Sequence, residues 1–144
     1  MIRRSLREIV DPSPRKKDEQ KVWEFFDSEC AYCGKQLRKE HKEGHIDHLI
    51  PASQSGSNQI SNRVLSCASC NEKEKLDMHW EKFLKQKNQN ADIASARKER
   101  IVRWQQIHHE RFIDKEVLAR IETLGSEVVS LYDENIESAR RLRR

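Results

Sequence analysis

The chain has 144 residues, of which 35% are hydrophobic and 36% charged. That balance argues against one large packed core and favours a small metal-stapled module with helical extensions. The net charge is +4, from 28 Lys and Arg against 24 Asp and Glu, far weaker than in a histone-like binder.

Basic residues cluster at the two ends: Arg3, Arg4, Arg7, Arg15, Lys16 and Lys17 at one, Arg140, Arg141, Arg143 and Arg144 at the other. Such clusters attract phosphate if they share a face and are otherwise solvated termini. The run after Met1 is too charged for a signal-peptide core, and no apolar run is long enough for a bilayer, so a cytoplasmic protein that does not span a membrane is expected.

In chain order, the first dozen residues read as irregular. Ser13 and Pro14 form a helix-start signal, predicting a helix from about Pro14 to Ser28 with Val22, Phe25 and Phe26 on its apolar face. Trp23 lies off that stripe and is expected against a later helix. After a polar stretch over 34–44, His45 to Ile50 reads as a short strand ended by Pro51, Ala52 to Ser61 as a loop, and Arg63 to Ser66 as a second strand. A helix beginning near Ala68 carries Asn71. Trp80, Phe83 and Leu84 predict a further helix, Asn88-Gln89-Asn90 a break, and Ile101, Trp104, His108 and Phe112 a long amphipathic helix. Val117, Ile121, Leu124, Val128 and Leu131 then form one helical stripe, interrupted in propensity by Gly125. The last two helices are expected to pair and to pack on the module or on a second subunit.

All four cysteines lie in two knuckles, Cys30-Ala31-Tyr32-Cys33 and Cys67-Ala68-Ser69-Cys70. Two CxxC pairs without an export signal predict a Zn²⁺ held by Cys30, Cys33, Cys67 and Cys70 in a reducing compartment. Four thiolates close the coordination shell, so this zinc is structural and any catalytic metal lies elsewhere. Between and beside the knuckles stand Asp47, His48, Asn62 and Asn71. Asp47 and Asn71 offer hard oxygen ligands, which suit Mg²⁺ or Mn²⁺. His48 points to the opposite face of a strand from Asp47 and has the right chemistry to take a proton from water. Asn62 either holds that imidazole or serves the loop backbone. His45 shares the Asp47 face and, with His79, is an accessory candidate near metal or phosphate. Read singly, each of these residues has a bland explanation: a surface pair, a turn, a helix cap.

The stretch from Cys30 to Lys75 resembles the HNH endonucleases. The resemblance is carried by Cys30-Ala31-Tyr32-Cys33-Gly34, Ile46-Asp47-His48-Leu49-Ile50-Pro51, the loop Ser53-Gln54-Ser55-Gly56-Ser57, then Ser61-Asn62-Arg63-Val64-Leu65-Ser66-Cys67 and Cys70-Asn71. It implies a ββα-metal nuclease of HNN-like type acting on DNA, with RNA not excluded. His48 would be the general base, Asn62 its orienting residue, and Asp47 with Asn71 the ligands of one divalent ion. The products would be a 5′-phosphate and a 3′-hydroxyl. Two positions depart from the family pattern: Ser55 stands where a glycine is common, and Glu74 where a lysine is usual, leaving Lys73 or Lys75 to approach the phosphate.

The expected fold is therefore α+β: a basic N-terminal segment and helix over 1–28, a zinc-stapled ββα-metal module over 29–87, and a helical extension over 88–144. Two other readings compete with the nuclease. One is a zinc-stapled nucleic-acid-binding module without catalysis. The other is a nuclease effector governed by a C-terminal arm that binds a partner or forms a homodimer.

Overall fold

The computed structural model describes residues 2–109 and 113–143, with the side chains of Arg3 and Lys115 outside the description. Phe112 and Arg144, singled out above, also lie outside the described residues. The elements in order are α1 (Ile2–Val10), α2 (Lys16–Phe25), β1 (Gly44–His48), single 3-10 turns at Ala52–Gln54 and Ile60–Asn62, and β2 (Arg63–Cys67). A π-helical segment (Ser69–Lys75), α3 (Trp80–Lys87), α4 (Ala91–Ile107) and α5 (Lys115–Leu142) follow. The fold is a mixed α+β one. The chain divides into two compact units, Ser13–Arg111 and, separately, Met1–Pro12 with Phe112–Arg144.

In the larger unit, β1 and β2 form an antiparallel pair in which Asp47 faces Val64 and His48 faces Arg63. β1 stops at His48, short of the expected Ile50, because Leu49 O accepts from Trp80 N and the Ile50 backbone groups are taken by a side chain. Ile50 N donates to Asn62 Oδ1 at 2.8 Å, and Asn62 Nδ2 donates to Ile50 O at 3.0 Å. α2 begins two residues later than expected, with Arg15 at the cap and Asp18 accepting from the Arg15 backbone N–H. It ends early because Asp27 and Ser28 adopt left-handed φ values of 49° and 57°. Asn88 and Asn90 supply the predicted break: Asn88 closes α3, and Asn90 Oδ1 caps α4 by accepting from Asp92 N and Ile93 N.

The core gathers Val22, Phe26, Tyr32, Leu49, Val64, Leu65, Phe83, Leu84, Ile101 and Trp104 with the cysteines. α4 closes it. The Trp104 ring packs tilted against Phe25, with centroids 4.9 Å apart, and donates its indole N–H to Ile60 O at 3.0 Å. Trp23 is buried against the hairpin, not against a later helix: a Cβ at Gly44 would stand 2.5 Å from its ring, so that glycine admits the indole.

The smaller unit corrects the reading of the N-terminus. Residues expected to be irregular form α1, which packs on α5. Ile2, Leu6 and Val10 have the spacing of a helical stripe and are partly buried, but the partner that orders it lies more than a hundred residues away in sequence. α5 runs unbroken through Gly125. Among the described residues, no helix is long and apolar enough to cross a membrane.

Candidate active site

The two knuckles bring all four cysteine sulfurs within 4.8 Å of one another. Cys33 Sγ and Cys67 Sγ are 3.8 Å apart, matching the edge of about 3.8 Å for a tetrahedron with metal–sulfur bonds of about 2.3 Å. Four sulfurs this close are all thiolates only around a cation, so the cluster is compatible with structural zinc. Gly34, at φ 73°, turns the first knuckle, and a Cβ there would collide with the Arg97 guanidinium reaching over from α4.

Asp47 points from β1 into the core. Tyr32 Oη donates to its Oδ2 at 2.9 Å, and Lys75 Nζ lies 3.1 Å from the same oxygen. Burial pushes the Asp47 carboxyl above its usual range, against the opposing pull of the Lys75 ammonium and the Tyr32 hydroxyl. Burial also holds the Tyr32 phenol well above its ordinary value, so it remains a donor. A carboxylate has roughly four acceptor sites. Tyr32, Lys75 and the His48 backbone N–H engage it here, which leaves about one site for a cation.

Lys75 is 2% exposed and also donates to His48 O at 2.6 Å. Of the two accessory lysines, it is the one turned inward; Lys73 is exposed. The π winding of Ser69–Lys75 explains the shift from residue 74. One extra residue per turn brings position 75 to the face that looks at β1. Glu74 turns outward and pairs with Lys87 at 2.6 Å. Asn71 lies four residues before Lys75, hence on the same face of the segment, and is half-buried. An aspartate and an asparagine oxygen are chemically suited to a cation that completes its shell with water and phosphate oxygen.

His48 lies half-buried on the other face, toward the loop. Its Nε2 is 3.2 Å from Asn58 Oδ1, and its Nδ1 is 3.2 Å from Arg63 Nη1. Arg63 Nη2 also donates to Asn58 Oδ1 at 2.8 Å, which fixes which amide atom is the oxygen. An amide oxygen only accepts and a guanidinium only donates. The imidazole proton therefore sits on Nε2, and Nδ1 carries the lone pair.

Asn62 takes the second of the tasks left open for it. Besides its two bonds to Ile50, its Nδ2 donates to Ser57 O at 2.8 Å, so it ties both ends of the loop together. Within that loop Ser55, in place of the common glycine, adopts left-handed φ 62°. Gly56 lies so close to the Ile50 carbonyl that a Cβ would overlap it. His45 shares the Asp47 side of β1 and pairs with Glu72 at 3.5 Å. His79 caps α3, its Nδ1 accepting from Glu81 N at 3.4 Å. The sequence singled out neither Asn58 nor Arg63, and placed Tyr32 only beside the knuckle. The cross-strand pairing of His48 with Arg63 is the one local signal that points to them, and it is readable only once the register is known.

Residues 30–76 match the family described as HNH endonuclease. A protein of Bacillus subtilis (strain 168) named "SPbeta prophage-derived putative HNH endonuclease YoqL" is 32% identical over 98 residues, covering 59% of this chain and 38% of that protein. The chain thus spans well under half the length of that curated relative.

Proposed function

We propose that this chain, whose residues 30–76 match the HNH endonuclease family, hydrolyses phosphodiester bonds in DNA with His48 as general base. The observation that carries the reading is the hydrogen-bond polarity around His48. Asn58 and Arg63 hold a neutral imidazole with its lone pair on Nδ1, the state a general base needs before it takes a proton.

In the proposed reaction, the Arg63 Nη1–H turns from His48 Nδ1 to the phosphate, and the Nδ1 lone pair then accepts a proton from water as the water oxygen bonds to phosphorus. The bond from phosphorus to the 3′ oxygen breaks, leaving a 5′-phosphate and, after protonation from solvent, a 3′-hydroxyl. Once it bonds the phosphate instead of His48, the Arg63 guanidinium meets developing negative charge there. Asp47 and Asn71 would hold Mg²⁺ or Mn²⁺, with Lys75 and Tyr32 fixing the carboxylate. A divalent ion, when bound there, neutralises charge on the phosphate oxygens. Asn62 keeps the loop that carries Asn58 closed under His48. Cys30, Cys33, Cys67 and Cys70 would hold zinc in a reducing compartment such as the cytoplasm.

The test is conversion of supercoiled plasmid by the full chain with Mg²⁺ or Mn²⁺, followed by end mapping. Metal-dependent nicking or cleavage with ligatable 5′-phosphate ends is expected. A zinc-loaded chain that binds DNA but leaves it intact with every divalent ion tried would favour the non-catalytic binding module. A homodimer through the C-terminal helices belongs to the same proposal, since Val128, Leu131 and Tyr132 lie exposed on α5. Light scattering on the full chain tests it, with a dimer mass expected and a monomer mass removing it.

A further inference from the structure

We propose that Tyr32 is a positioning residue that couples the four-cysteine cluster to the divalent-ion ligand Asp47, so that the knuckle sets divalent-ion affinity as well as holding the fold. The inference rests on the reading of Asp47 as an ion ligand.

Tyr32 sits between two members of the cluster, Cys30 and Cys33. Its place is set on every side. The ring is fully buried and packs edge-on against Phe83 at 5.1 Å, and its carbonyl accepts from Asn88 Nδ2 at 3.0 Å. The backbone of the next residue back is bonded into the hairpin, with Ala31 N donating to Leu65 O at 2.8 Å. From that fixed base the hydroxyl reaches Asp47 Oδ2 at 2.9 Å. Asp47 is a buried carboxylate one residue from the end of a five-residue strand, with Lys75 and the His48 backbone N–H as its other donors, and burying such a group without donors is costly. A rigid phenol aimed at one oxygen fixes the carboxylate rotamer and thereby the direction in which its remaining lone pair faces. Displacement of the knuckle backbone moves the phenol, and with it the carboxylate. Zinc binding orders that backbone, so the Tyr32–Asp47 hydrogen bond is one link between the two metal sites, beside the Lys75–Asp47 ion pair and the Cys70–Asn71 peptide bond. By thermodynamic reciprocity each ion must then favour the other.

The competing explanation is that the hydroxyl merely satisfies itself on the nearest acceptor. The two differ in what Tyr32→Phe does. Phe preserves the buried ring and its contact with Phe83, so zinc content and unfolding midpoint barely separate the explanations, whereas divalent-ion affinity does. Mn²⁺ binding is measured by electron paramagnetic resonance on the zinc-loaded full chain. Tyr32→Phe is expected to retain one zinc per chain and to bind Mn²⁺ about tenfold more weakly, as expected for loss of a hydrogen bond to a charged group. Unchanged Mn²⁺ affinity in a zinc-loaded Tyr32→Phe chain overturns the coupling while leaving Asp47 as a ligand. Unchanged affinity in Asp47→Asn overturns the ligand reading itself, and the coupling with it. If Tyr32→Phe fails to hold zinc, the parent chain decides the matter by reciprocity. Saturating Mg²⁺ should raise its apparent zinc affinity in competition with a colorimetric chelator, and no change in that affinity overturns the proposal.

Discussion

α4 and α5 both carry apolar residues at helical spacing, yet they use them differently. α4 buries Ile101 and Trp104 completely in the core of the larger unit. α5 is longer and its stripe more regular, but Val117, Val128 and Leu131 are 42%, 44% and 60% exposed. Periodicity predicts that a segment is helical; it does not decide how much of the stripe is covered. Coverage depends on what the rest of the chain supplies. α4 meets the aromatic face of α2 and the turn at Ile60–Asn62, whereas α5 packs on a helix of only nine residues, α1. The larger unit therefore has two sources of stability, a buried aromatic core and a sulfur cluster.

The largest effect expected within that contrast is loss of the cluster. Cys67→Ser should abolish zinc binding and unfold the larger unit, because structural zinc supplies on the order of 10 kcal/mol of apparent folding free energy. All three tryptophans, Trp23, Trp80 and Trp104, lie in that unit. Tryptophan fluorescence therefore reports its unfolding without contribution from α5. Next comes the core: Trp104→Ala should cost about 3–5 kcal/mol in denaturant unfolding. Leu131→Ala, at an exposed position of the better-patterned helix, should stay within about 0.5 kcal/mol when unfolding is followed by far-ultraviolet circular dichroism at concentrations where the chain is monomeric. Equal losses at the two positions would break the comparison.

The smallest effect belongs to the surface of the larger unit. The Arg38 guanidinium bonds Glu43 at 2.7 Å and holds its carboxyl down at about 2. A carboxyl depressed in the folded state adds stability above its unfolded pKa, and that contribution is lost as pH falls through the folded value. The pair is exposed, so solvent screening keeps it small. Parent and Glu43→Gln should differ by a small thermal shift at neutral pH, and the two curves should converge as the pH is lowered toward about 2.

Much of this was legible in the sequence because it is local. The CxxC spacing, the Asp47-His48 strand, the turn-rich loop and the asparagine break between α3 and α4 each depend on residues within a few positions of one another. What was not legible depends on distance or phase. α1 read as irregular because α5, against which it packs, is a hundred residues downstream. Lys75 was indistinguishable from Lys73 until the π winding of the segment gave the phase. Tyr32 and Asp47 are fifteen residues apart, and only the packing of knuckle on hairpin brings their oxygens to 2.9 Å. Asn58 and Arg63 converge on His48 through the strand register and the closure of the loop by Asn62. Their residue types, a loop asparagine and a strand arginine, are too common to stand out.

The most direct test of the proposed chemistry is the single-turnover cleavage rate of zinc-loaded His48→Ala, measured beside the parent on the same plasmid with Mg²⁺. General-base catalysis by His48 predicts a fall of about 10²–10⁴-fold with zinc content unchanged. A variant that cuts at the parent rate would contradict it.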